Sequence, residues 1–141
     1  MLQTRPILLD ASGRVAAGEY ALFAGWWNSR HGSPPALEML PGCGVVVEEA
    51  DGPVAVAFMY LDATGSGVAW LGWMASDPLA GAATACNAVE LAVQFLEDHA
   101  RALNYWLVVA SYNRPSLVAA MVRAGFQAGE TNFTHLFKPL S

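Results

Sequence analysis

The sequence predicts an α/β fold: a mixed, mostly antiparallel sheet of six to seven strands flanked by helices. Three observations carry this expectation. Apolar, β-branched runs alternate with turn signals between residues 43 and 76. A long stretch with a clear helical period follows them. A further short apolar run follows that helix, so the chain returns to the sheet by a right-handed parallel crossover. The expected order is β-α-β-β-β-α-β-α-β.

The first strand is expected over Gln3–Leu9. Asp10-Ala11-Ser12-Gly13 then supplies turn and capping residues for a helix over Arg14–Ser29, with Ala16, Tyr20, Ala24 and Trp27 on one stripe. Gly32 closes that helix, and Ser33-Pro34-Pro35 prevents its continuation. Cys43–Glu49, Val54–Asp62 and Val68–Ser76 read as an antiparallel meander, joined by the hairpin signal Asp51-Gly52 and the turn Ala63–Gly67. The second and third runs are apolar on both faces, so both faces of the sheet should be covered. Pro78 ends the third run, and a helix is expected over Leu79–Leu103. Its apolar stripe is Val89, Ala92, Val93, Leu96, Ala100 and Leu103, and its opposite face carries an i,i+4 pair, Glu97 and Arg101. Tyr105–Ala110 is the next strand. Asn113-Arg114-Pro115 opens a helix whose inner face is Leu117, Val118, Met121 and Val122, and Gly125 stops it. Thr131–Lys138 is the last strand.

The chain has 141 residues and reads as a single domain over residues 1–141, with no repeat or linker. Hydrophobic residues make up 55% and charged residues 13%, which excludes intrinsic disorder and leaves little charge to cover a monomer, so part of the surface is expected to be buried by a ligand or in a homodimer. A net charge of −5 lacks the field that nucleic-acid binding needs. Ile7-Leu8-Leu9 is too short for the apolar core of a signal peptide, and no run is long enough to span a bilayer, so a cytoplasmic protein is expected. Cys43 and Cys86 lack C-x-x-C spacing and read as small buried hydrophobes. His31, His99 and His135 are scattered, so no metal site is expected. The glycine signatures of dinucleotide, nucleotide and serine-hydrolase sites are absent.

The most informative stretch is Met74-Ala75-Ser76-Asp77-Pro78-Leu79-Ala80-Gly81-Ala82-Ala83, where a strand ends and a run of small residues opens a long helix. Free amides at a helix N-terminus, with no bulky side chain in the way, suit an anion such as a pyrophosphate. Plain packing of helix on sheet through Ala and Gly is the structural alternative.

The order of elements and two local patterns resemble the GNAT superfamily, the acetyl-CoA-dependent N-acyltransferases, over roughly residues 3–138. Leu79–Ala85 is similar to the family's pyrophosphate loop, R/Q-x-x-G-x-G/A: Gly81, Ala83 and Ala85 keep the small positions, and Ala80 stands where Arg or Gln is usual. Asn113 through Ala124-Gly125-Phe126 is similar to the family's Asn-to-Gly helix with one extra residue, and Met121 stands where a tyrosine often protonates the leaving thiolate. The resemblance implies a GNAT-like sheet and transfer of an acetyl group from acetyl-CoA to a primary amine of a small molecule or peptide. It implies a cofactor site of Trp73, Met74, Ala75, Ser76, Gly81, Ala82, Ala83 and Asn113. The backbone of residues 73–76 would hold the pantetheine arm where the fourth and fifth strands splay apart. It also leaves open a GNAT-fold binding or interaction protein that has lost catalysis, which Ala80 and Met121 motivate.

Acyl transfer needs a base for the amine and a donor to polarise the carbonyl. The N–H near Met74 could be that donor. Candidates for proton transfer are Glu48, Glu49, Asp62, Asp77, Tyr112 and His135, with Tyr112 and Glu48 foremost. Each also has an ordinary structural role: Glu48, Glu49 and Asp62 as solvated turn residues, Asp77 as a helix cap, His135 as a sheet residue. Tyr112, at the end of the fifth strand, is the best stand-in for the missing thiolate acid. Of the five tryptophans, Trp70 and Trp73 are expected on opposite strand faces, with Trp73 either packed in the core or walling a substrate slot. Tryptophans at the surface would point to an oligomer interface.

Overall fold

The computed structural model describes residues 1–132, 134, 136 and 138–140. Its elements are β1 (Gln3–Pro6), α1 (Ala17–His31), a short 3₁₀ turn (Leu37–Met39), β2 (Gly44–Glu49), β3 (Gly52–Leu61), β4 (Val68–Ser76), α2 (Ala82–Ala102), β5 (Leu107–Val109) and α3 (Pro115–Arg123). The five strands form one sheet in the order β1-β2-β3-β4-β5. All neighbours are antiparallel except β4 and β5, which the α2 crossover makes parallel. The α/β class and mixed sheet match expectation, but five strands among the described residues replace the six to seven expected. The last expected strand, Thr131–Lys138, falls partly outside the described residues, and the described ones in it form no strand.

The sheet is covered on both faces, as its doubly apolar strands require. On one face, Val45, Val47, Ala57, Met59, Ala69 and Leu71 pack against Ala88, Ala92, Val93 and Leu96 of α2, with Met121 of α3. On the other, Val46, Val56, Phe58 and Ala75 pack against Phe23 of α1. Phe23 meets Phe58 edge-on at 5.3 Å between ring centroids.

Several boundaries shift for local reasons. Asp10 does not cap α1; its carboxylate accepts the Ser12 and Arg14 N–H groups at 2.8 and 3.1 Å, and Leu9 bridges Val15, which delays the helix to Ala17. The stripe of α1 centres on Phe23 and Glu19. Glu19 is tolerated there because Arg5 of β1 donates to both its oxygens, at 2.9 and 3.0 Å. The start of α2 moves from Leu79 to Ala82 because Asp77 closes a turn, accepting the Leu79 N–H on Oδ1 at 2.9 Å and the Ala80 N–H on its carbonyl at 3.1 Å. Leu103 lies past the end of α2 and is exposed. Arg101 pairs with Asp98 at 2.9 Å in place of the expected Glu97. Val118 and Val122 are exposed, so the inner face of α3 narrows to Leu117, Ala120 and Met121. The Phe126 N–H closes α3 on the Met121 carbonyl at 3.0 Å, beyond Gly125 at φ +99°.

Candidate functional site

The site is built by one extra residue in β4. Ala57 pairs with Met74 and Met59 with Leu71, so three steps along β4 match two along β3, a β-bulge at Gly72–Trp73. The bulge turns both residues toward the α1 face. Trp70 and Trp73 therefore share a face, contrary to the alternation expected from their spacing, since Trp70 lies opposite Tyr60 and Trp73 packs in the α1 cluster. A Cβ at 72 would lie 2.8 Å from Cε2 of Tyr60, so any side chain there requires that ring to move. Trp73 does not wall an open slot. Its ring meets Trp27 edge-on at 5.3 Å, and its Nε1 donates to Tyr60 Oη at 2.9 Å.

Beyond the bulge β4 has no partner on its outer side among the described residues. Pairing with β5 ends at Trp70 opposite Val109. The Asp77 N–H donates to the Val54 carbonyl at 2.8 Å, which fixes the phase of the ladder. In an antiparallel pair hydrogen-bonded residues alternate, so Ala75 faces β3, while Met74 and Ser76 turn their N–H and C=O toward the gap. This is the splay expected between the fourth and fifth strands.

The gap opens into a groove of about 490 Å³. Its floor is Met74, Ala75 and Ser76; its walls are Ala80, Ala82, Ala85, Cys86 and Val89 at the start of α2, and Arg114, Ser116, Leu117, Ala120 and Arg123 of α3 and its approach. Trp26, Arg30 and His31 from the end of α1 close the far side. Small side chains leave the backbone of α2 accessible. Gly81 is the N-cap and makes no side-chain cap, so among the described residues the first amides of α2 have no partner at the groove mouth, with the positive end of the helix dipole behind them. Three of the chain's seven Lys and Arg residues line this groove, and none of its twelve Asp and Glu residues does. A protein of net charge −5 thus carries a locally positive cleft.

Tyr112 stands at the gap. It is half-buried, its Oη donates to the Gly72 carbonyl at 3.3 Å, and burial raises its pKa to about 12. His31 lies 4.4 Å from the Trp27 ring, and desolvation, then Arg114 and Arg30, lower its pKa. Arg123 reaches Cys86 Sγ at 3.5 Å and Glu90 at 3.9 Å, which anchors it over the first turns of α2.

Of the residues expected in a cofactor site, Met74, Ala75, Ser76 and Ala82 line the groove and Gly81 caps the helix at its mouth. Ala83 and Asn113 are exposed and do not line it. Glu48 also stands apart: its carboxylate meets Arg5 Nε at 3.2 Å on the α1 face of the sheet. Glu49 is exposed at the end of β2. Asp62 binds Thr64 and Ser66 in a turn, which lowers its pKa to about 2. Asp77 closes the turn before α2. His135 lies outside the described residues. Met121 is buried on the inner face of α3 and does not line the groove. Sequence reasoning missed Arg30, His31, Arg114 and Arg123. Their signal was the scarcity of cations in the chain, three of which lie at the ends of α1 and α3.

Among the described residues no cluster of three His, Cys, Asp or Glu side chains could hold a metal ion, and no helix is long and apolar enough to cross a membrane.

No protein-family model and no curated protein sequence matches the chain. Solved structures do. Glucosamine-6-phosphate N-acetyltransferase from Arabidopsis thaliana matches at a TM-score of 0.64 and 11% identity, covering 98% of this chain and 99% of its own. The ribosomal-protein-S18-alanine N-acetyltransferase from Escherichia coli matches at 0.65 and 12%, covering 92% and 80%. An aminoglycoside acetyltransferase from an uncultured soil metagenomic sample matches at 0.61 and 13%, covering 99% and 97%. At these identities the likeness establishes the fold.

Proposed function

We propose that this GNAT-fold chain is an N-acetyltransferase that takes its acetyl group from acetyl-CoA and passes it to a primary amine. One observation carries the proposal: β4 parts from β5 at a bulge directly beside an uncapped helix N-terminus, inside a groove with arginines and no carboxylate. The residues fit the cofactor. Met74 and Ser76 offer strand-like hydrogen bonds to an amide-bearing arm, and the free amides of α2 together with Arg123 suit its phosphates. Ala80 brings no side-chain donor, and Arg123 supplies positive charge from α3 in its stead.

Acetyl-CoA, when bound, supplies a thioester whose carbon–sulfur bond is exchanged for a carbon–nitrogen bond to the acceptor. The Met74 N–H, pointing into the gap without a partner strand, polarises a carbonyl laid against it. Tyr112 Oη holds a proton across the working pH range and would give it to the departing sulfur, while the proton that the acceptor nitrogen loses passes to water and so restores the hydroxyl. Glu48 has no part in this proposal, being held by Arg5. The low charge and the exposed Trp70 and Trp106 support the homodimer as part of the same reading.

Calorimetric titration with acetyl-CoA and with CoA tests the proposal. Micromolar affinity is expected, and no binding up to millimolar overturns it. The second reading, a GNAT-fold binding protein without catalysis, is favoured by Ala80 and by the burial of Met121. It predicts binding without turnover of any amine.

A further inference from the structure

The cations of the groove fall into two groups. Arg123 is tied to α2 through Cys86 and Glu90, next to the free helix amides. Arg30 and Arg114 are different. They come from the end of α1 and the approach to α3, both act on His31, and neither has an ion-pair partner among the described residues. Two arginines lining one groove without a carboxylate leave that part of it positively charged, and an arriving anion is attracted there. His31 adds a ring N–H, and desolvation first, then Arg114 and Arg30, disfavour its charged form.

We propose that Arg30 and Arg114, with His31 beside them, form an anion subsite for the acceptor, which is therefore a small amine that also carries a carboxylate or phosphate. The inference rests on the acetyltransferase reading. The α2 amides and Arg123 account for the cofactor's phosphates, which leaves the α1 end of the groove for the second substrate. With no carboxylate in its lining the groove repels polycationic amines, so the aminoglycoside class is disfavoured on charge alone.

The test uses amines in matched pairs that differ in one anionic group: glucosamine 6-phosphate against glucosamine, and an α-amino acid against its amide. The anionic member of at least one pair should show kcat/KM ten-fold or more above its neutral counterpart. In Arg30→Ala and Arg114→Ala that ratio should fall toward one through KM, with the Kd for acetyl-CoA within two-fold of the parent. Turnover without preference for an anionic member, or of none of the amines, overturns the subsite. A ten-fold loss of acetyl-CoA affinity in the variants with the ratio unchanged also overturns it, and assigns the arginines to the cofactor's phosphates. Failure of the parent protein to bind acetyl-CoA overturns the acetyltransferase reading itself, and the subsite with it.

Discussion

Tyr112 Oη donates a hydrogen bond to the Gly72 carbonyl at 3.3 Å, across the opening between β4 and β5. A hydroxyl from the segment after β5 is thereby held against the bulge itself. Tyr112→Phe should lower turnover by about a hundredfold, the scale of general-acid assistance, with little change in acetyl-CoA affinity. Because the hydroxyl titrates only at about 12, the rate should show no alkaline loss from this group below about pH 11. Steady-state kinetics from pH 6 to roughly 10, with calorimetry alongside, checks both.

Gly81→Asp separates binding from folding. Nothing lies within 4 Å of a Cβ at this position, and its φ of −62° suits any residue. Aspartate is also a better N-cap than glycine, by a few tenths of a kcal/mol. Thermal stability should therefore hold or rise slightly, while the new carboxylate fills the anion site and weakens acetyl-CoA at least ten-fold. Equal affinity in the variant would mean that the phosphates bind elsewhere.

Glu19→Ala removes the bidentate partner of Arg5 from a nearly buried position and should cost about 2 kcal/mol, the scale of hydrogen bonds to charged groups. Glu48→Ala should cost less, because Glu48 is more exposed and makes a single contact with Arg5 at 3.2 Å. Chemical denaturation of the two variants checks the order.

His31 should titrate below the ordinary histidine value of 6.5 in the free protein, because desolvation and then Arg114 and Arg30 disfavour its charged form. The unfolded chain then binds the proton more readily than the native one. This group therefore contributes its full stability above pH 6.5, and the contribution is lost as pH falls from there toward the native pKa. Arg114→Ala should raise the native pKa part of the way, since desolvation is the larger cause. Imidazole resonances followed by NMR across pH 4–8 read both effects.

Much of the sheet was legible because its signals are local. Strands β2 to β4 and the buried stripe of α2 follow from apolar period and turn residues within each segment. The free amides at Gly81–Ala83 were legible for the same reason. The bulge was not, because Leu71-Gly72-Trp73-Met74 is apolar whichever way the strand turns, so the pattern carries no phase. Arg5 and Glu19 sit in different elements, and their pairing is visible only once β1 lies beside α1. The same holds for Arg30 and Arg114, separated by most of the chain and joined by one groove.

The phase shift in β4 also sorts the strand's amides by their access to water. Ala75 and Asp77 are locked into the ladder with β3, while Met74 and Ser76, between and before them, are open to the gap. Deuterium should enter the second pair quickly and the first slowly. A ligand laid along the gap as an extra strand would protect Met74 and Ser76 and leave their neighbours unchanged. That every-other-residue pattern makes two backbone protons a reporter of occupancy, needing neither an acceptor nor turnover to be read.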